Sequence, residues 1–208
     1  MPKETITMTE KTEKKEKDIK EIARDVEKYK CAVQKALMFL DEFIDGPMCA
    51  RCLPCPMGSY EMRIRMRRLA DGKATELDVQ AIRRIAPLML ESSMCKKGKD
   101  TAKFIIDTME TSPNLYSLHV EGVCPDKECR SLIVYRVIAD KCVCCDDCRV
   151  VCKDFAIVGE RKKSYLVGYI PYEIVDKRCS RCGLCVPACT YGAIEIVDAK
   201  AAAVHSAA

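Results

Sequence analysis

Eight cysteines in the second half of the chain fall into two copies of one spacing. Cys142, Cys145, Cys148 and Cys152 follow C-x2-C-x2-C-x3-C, and Cys179, Cys182, Cys185 and Cys189 repeat it. Each copy, KCVCCDDCRVVCKDFAIVG and RCSRCGLCVPACTYGAIEIV, then runs into a short apolar strand, so residues 140–198 read as a duplicated unit and a domain in itself. Four thiolates are what a 4Fe-4S cube requires, and the first three cysteines of each run can wrap a tight loop around three irons. Zinc needs only pairs of CxxC and leaves the third cysteine at x2 and the fourth at x3 unexplained. A third constellation lies upstream, where Cys49, Cys52 and Cys55 are followed forty residues later by Cys95.

Composition decides how the cysteines are read. Sixteen in 208 residues is about 8%, near the level that flags a disulfide scaffold in a short secreted chain. The opening run MPKETITMTEKTEKKEKDIK has no apolar core, so no signal peptide is expected and a cytoplasmic, reducing location is. No stretch approaches the roughly 18 apolar residues of a membrane span. A formal charge of +4 with both signs interleaved gives no case for nucleic acid. The one basic run, RIRMRRL at 63–69, reads as the solvated side of a helix.

The coarse organisation is helical first and mixed later. Residues 1–17 are charged and without apolar period, so they are expected to be disordered. From Asp18 the spacing of Ile19, Ile22, Val26, Tyr29, Val33, Leu37, Leu40 and Ile44 predicts one long amphipathic helix, ended by Gly46 and Pro47. Further helices are expected at 59–70, at 76–92 behind a Thr75/Asp78 capping box, at 101–110 and at 114–120. Pro87 should kink or break the helix at 76–92. SLIVYRVI at 131–138 reads as a strand. The fold class is therefore α+β: an N-terminal helical bundle with one 4Fe-4S site over 18–120, a connector over 121–139, a small ferredoxin-like βαβ-repeat domain over 140–198 and a loose tail over 199–208.

Residues 140–198 resemble the bacterial-type two-cluster ferredoxin domain. In that family the fourth cysteine of each run serves the other cube, which implies the sets Cys142, Cys145, Cys148, Cys189 and Cys179, Cys182, Cys185, Cys152. The chain departs from the pattern at Lys153 and Thr190, where proline is usual, and at Cys144, where glycine is common. Cys49, Cys52, Pro54, Cys55 and Gly58, with Ser93, Cys95 and Gly98, look like the C-terminal helical domain of the flavin- and NADH-binding subunit of respiratory complex I and of electron-bifurcating hydrogenases. Met48, Ala50 and Pro56-Met57 replace the usual residues there. By that resemblance Cys49, Cys52, Cys55 and Cys95 hold a third 4Fe-4S cube.

The resemblance extends through His119, Cys124-Pro125, Cys129 and Leu132-Ile133, the segment that precedes the ferredoxin repeat in the bifurcating members. His119, Cys124 and Cys129 are ligand types suited to a structural zinc ion. The fourth ligand is open between Cys31, Cys144 and a partner chain, and the bland alternative makes the two cysteines buried thiols and the histidine a surface residue. The family's larger members carry a flavin and nucleotide domain with glycine-rich phosphate loops ahead of this region. None is legible before Cys49, so no flavin or NAD is expected in this chain.

These readings converge on a non-catalytic electron-transfer subunit of an anaerobic multi-subunit oxidoreductase, with electron bifurcation among the activities expected of the complex. Its expected partners are a flavin subunit, a ferredoxin, or a hydrogenase or formate-type catalytic subunit. The competing reading is a stand-alone iron-sulfur enzyme or a metal-stabilised assembly scaffold. A stand-alone enzyme would need a cube with a missing ligand, whereas four cysteines are available for each of the three.

Overall fold

The computed structural model describes residues 17–163, 168 and 170–205. The expectation of disorder over 1–17 falls, apart from Lys17, outside them. The first half is a helical bundle of α1 (Ile19–Val26), α2 (Ala32–Asp45), α3 (Pro54–Ala70), α4 (Glu76–Ser92), α5 (Lys96–Thr111) and α6 (Pro113–Val120). The second half holds β1 (Ile133–Val137), α7 (Asp147–Val150), β2 (Ile157–Val158), β3 (Glu173–Ile174), α8 (Cys185–Ala188), β4 (Ile194–Asp198) and α9 (Ala199–His205). An α+β chain with a βαβ-repeat domain is what the structure contains.

The predicted single helix over 18–44 is two. Its apolar period does run unbroken through one core, with Ile22, Val26, Val33, Phe39, Leu40 and Phe43 fully buried. The chain nevertheless leaves helical geometry between Val26 and Ala32, because the Glu128 carboxylate accepts hydrogen bonds from the backbone N–H groups of Lys30 (3.0 Å) and Cys31 (2.9 Å). Periodicity reports which face is buried and is silent on a backbone amide captured from 98 positions away. The tail expected over 199–208 is helical as far as His205, and 206–208 lie outside the described residues.

The capping box that opens α4 is present, with the Thr75 side chain on the N3 amide and the Asp78 carboxylate on the Thr75 N–H at 2.8 Å. The helix continues through Pro87 without a break. Asp78 is buried and also meets Arg65 at 2.9 Å and Arg68 at 3.0 Å, while Arg67 reaches Asp41 at 3.0 Å. The basic run at 63–69 is thus a clamp joining α2, α3 and α4, not simply a solvated face.

In the second half β1 pairs antiparallel with β4, Ile133 opposite Asp198 through Val137 opposite Ile194. β2 pairs with β3, Ile157 opposite Ile174. That pairing ties the 133–137 strand, read in the sequence as connector, to the ferredoxin-like half. The two copies of the unit coincide in backbone as well as in cysteines. Residues 37 positions apart, as Cys142 and Cys179 are, share left-handed φ: Cys144 (55°) with Arg181 (58°), Asp146 (84°) with Gly183 (79°), and Phe155 (50°) with Gly192 (59°). Three matched positive-φ positions are a strong constraint on L-residues and mark one loop conformation used twice.

Candidate metal centres

The structure gathers the sixteen cysteines into four places. Pro54 opens α3, so Cys49 and Cys52 lie on the incoming loop and Cys55 in the first helical turn, while Cys95 caps α5. Gly98 sets their approach: a Cβ there would stand 2.9 Å from Ser93 Oγ and 3.4 Å from Cys55 Cβ. Burial, and then the neighbouring Cys52, Cys95 and Cys49, push the Cys55 thiol up to about 11. Four thiols that oppose one another's ionisation are a donor set that a cationic iron core would compensate. Ser93 Oγ is buried with no hydrogen-bond partner among the described residues, an orphaned donor beside this set, which suits a group rich in sulfur acceptors.

The two ferredoxin-like sites are assembled crosswise. Cys142, Cys145 and Cys148 line one cavity together with Cys189, contributed by the second copy, and Cys144 and Tyr172 share its wall. Burial, and then Cys145, Cys189 and Cys142, push Cys148 up to about 11. Around Cys185 the neighbours are Cys179, Cys182 and Cys152, which with burial as the larger cause raise it to about 11 also. The fourth cysteines accept equivalent backbone hydrogen bonds, Cys152 Sγ from the Ala156 N–H at 3.4 Å and Cys189 Sγ from the Ala193 N–H at 3.3 Å. Such N–H donors favour the thiolate. The structure thus brings together the cysteines of each set of four that the resemblance implies, and the chemistry of each set suits a 4Fe-4S cube.

The fourth place holds the residue that sequence reasoning left open. Cys31, His119, Cys124 and Cys129 are all buried, and their ligand atoms lie within 4.8 Å of one another. His119 Nε2 is 3.4 Å from Cys31 Sγ and 3.3 Å from Cys129 Sγ, and the two sulfurs are 3.8 Å apart. Tetrahedral zinc, with Zn–S about 2.3 Å and Zn–N about 2.0–2.1 Å, sets sulfur–sulfur edges of about 3.8 Å and sulfur–nitrogen edges of about 3.6 Å. The residues fit the ion. His119 Nδ1 donates to the Leu115 carbonyl at 2.7 Å; a carbonyl only accepts, so Nδ1 carries a proton, and in the neutral ring that a metal ion would take Nε2 is the nitrogen left to face the three sulfurs. Hydrogen bonds from the Cys129 and Cys31 thiols hold Cys124 far below the ordinary thiol range.

Cys144, the other candidate fourth ligand, lies instead in the first ferredoxin-like cavity, with its Sγ 4.0 Å from that of Cys142 and its S–H directed to the Ile170 carbonyl at 3.4 Å. No local signal in the sequence distinguishes Cys31, which sits alone in an amphipathic pattern. The Glu128 adjacent to Cys129 is a second residue that reading missed.

Comparison with known proteins accords with this geometry. Residues 35–119 match the NADH-ubiquinone oxidoreductase-F iron-sulfur binding region, and 172–195 match a 4Fe-4S binding domain. The F subunit of NADH-quinone oxidoreductase from Aquifex aeolicus is 27% identical over 81 residues, 39% of this chain and 19% of that subunit. Over its iron-sulfur region the chain is homologous to part of the F subunit of NADH-quinone oxidoreductase. Within that relationship, the HndC subunit of the NADP-reducing hydrogenase of Solidesulfovibrio fructosivorans is 31% identical over 136 residues, 65% of this chain and 28% of HndC. The beta subunit of the NADP(+)-dependent formate dehydrogenase of Moorella thermoacetica is 29% identical over 75 residues, 36% of this chain and 11% of that protein. The chain therefore spans little more than a quarter of the F-type relatives at most. Among the described residues no helix is long and apolar enough to cross a membrane.

Proposed function

We propose that this chain is an electron-transfer subunit of a multi-subunit oxidoreductase, holding three 4Fe-4S clusters and one structural zinc ion. The observation that carries the reading is the crosswise cavity, where Cys189 joins Cys142, Cys145 and Cys148. A pair of zinc sites built from local CxxC pairs has no need of that exchange, and a two-cube ferredoxin unit does. When bound, each cube supplies a one-electron couple whose potential can be set anywhere from about −700 to +450 mV by its surroundings.

The protein's own part is to hold and surround these groups. Cys49, Cys52, Cys55 and Cys95 serve the helical half, with the Ser93 hydroxyl as a donor beside them. Cys142, Cys145, Cys148 and Cys189 serve one ferredoxin-like site, and Cys179, Cys182, Cys185 and Cys152 the other. Cys31, His119, Cys124 and Cys129 take the zinc ion, which fastens the α1–α2 junction to the segment leading into β1 and fixes the helical half against the start of the ferredoxin-like one. The partners proposed are a flavin-bearing subunit, a ferredoxin, and a hydrogenase- or formate-type catalytic subunit, the last in keeping with the hydrogenase and formate dehydrogenase relatives. Electron bifurcation belongs to the same proposal.

Metal analysis of the anaerobically purified chain, with paramagnetic resonance after reduction, tests this. About twelve iron, twelve sulfide and one zinc are expected. About eight iron, with zinc or no metal at Cys49 to Cys95, overturns the three-cluster reading.

A further inference from the structure

The two copies of the ferredoxin-like unit differ where their shared backbone makes a difference stand out. Each carries a tyrosine seven residues before its first cysteine, Tyr135 and Tyr172. Both are buried, and each faces the other copy's cysteines. Tyr172 lines the cavity of Cys142, Cys145, Cys148 and Cys189. Tyr135 reaches the loop of Cys179, Cys182 and Cys185: a Cβ on Gly183 would stand 2.9 Å from its hydroxyl oxygen.

What the hydroxyls meet is not the same. Tyr172 donates to Asp146 Oδ1 at 2.7 Å, and Asp146 is held in turn by Arg149 at 2.5 Å. The position equivalent to Asp146 is Gly183, with the same left-handed backbone and no side chain. The Tyr135 hydroxyl consequently has no hydrogen-bond partner among the described residues. One further loop position differs in the same sense. Where the first copy has the neutral Cys144, the second has Arg181, whose guanidinium donates to the Arg130 and Ser131 carbonyls at 3.0 and 3.1 Å and pairs with no carboxylate among the described residues.

We infer that this asymmetry splits the two ferredoxin-like sites, with Tyr135 and Arg181 raising the reduction potential at the Cys179, Cys182, Cys185, Cys152 site above that of its partner. Reduction adds negative charge, which nearby cations and O–H donors to sulfur stabilise. At the other site the equivalent donor is spent on Asp146, and the Asp146 carboxylate offsets Arg149. Asp146 and Tyr135 thus act as positioning residues, and the inference rests on the cubes proposed above.

The test is a redox titration of the full chain followed by paramagnetic resonance, with iron and sulfide measured on every sample. The signal of the helical site is recognised by its loss in Cys49→Ala. The wild type should show the two ferredoxin-like sites at separate midpoints. Asp146→Gly installs the residue of the other copy at a φ that glycine favours; it should raise the lower midpoint and leave the upper one in place. Tyr135→Phe should lower the upper midpoint alone. Either change therefore narrows the gap, and the double variant narrows it most. Cubes that are intact by iron and sulfide but show a gap unmoved or widened in either variant overturn the inference. A wild-type chain without iron and sulfide overturns the cluster reading itself, a result distinct from the first.

Discussion

Cys31 Sγ lies 3.4 Å from His119 Nε2, although 88 positions separate them in the chain. Cys31 sits at the break between α1 and α2, where Glu128 draws the backbone out of helical geometry, and Cys129 follows Glu128 directly. The same short segment thus bends the helix and supplies one of the sulfurs that the bend brings together.

Cys31→Ala should release the zinc ion and leave about twelve iron per chain. Losing one of four ligands abolishes a closed tetrahedral site, and structural zinc contributes directly to folding. Metal analysis after desalting checks the first point, and a lowered Tm the second. Zinc that survives the substitution would assign the fourth ligand elsewhere.

Cys144→Gly should keep all the iron. Cys144 shares the cavity of Cys142, Cys145, Cys148 and Cys189, yet it adds a fifth thiol where four suffice, and at φ 55° glycine relieves strain of about 1 kcal/mol. Cys145→Ala, one position on, should cost about four iron. Iron content of the two variants side by side decides which thiol is a ligand.

Gly98→Val should disturb the helical site. Any Cβ at 98 stands 2.9 Å from Ser93 Oγ and 3.4 Å from Cys55 Cβ, so the branched side chain has to push α5 away from Cys55. Overpacking of this kind costs about 1–3 kcal/mol. The expected readout is loss or broadening of one paramagnetic signal with the other two unchanged.

Asp78→Asn should destabilise the helical half by about 1–2 kcal/mol at neutral pH, through lost charge at a buried carboxylate facing Arg65 and Arg68. Burial alone would raise the pKa of Asp78, but the Thr75 N–H, Arg68, the Thr75 hydroxyl and Arg65 together hold it below 3.8. A depressed folded pKa means the contribution is complete above the unfolded value and fades as pH falls below it. Denaturant midpoints of wild type and variant should therefore converge as pH drops below 3.8, and a constant difference would remove Asp78's charge as the cause.

The chain's cysteine spacing carried most of the candidate sites. Three cysteines at x2 intervals form one loop around one group, so their grouping is local and legible. The helices were legible where caps and apolar period agree, as at Thr75 and Asp78. The single helix over 18–44 failed because its interruption has no glycine or proline signature; it is imposed by a carboxylate far along the chain.

By itself the sequence determined the eight cysteines of the repeated spacing, the run of Cys49, Cys52 and Cys55, and the α+β order of elements, since each rests on residues within a few positions of one another; Cys95, forty residues on, joined its set only through the family resemblance. Tertiary structure alone decided that Cys31 completes the site of His119, Cys124 and Cys129, and that each tyrosine of the repeat faces the other copy's cysteines. Those relationships depend on where distant segments pack, which is set by the burial of whole faces and by contacts such as that of Glu128 with the Cys31 amide, and no local spacing encodes them.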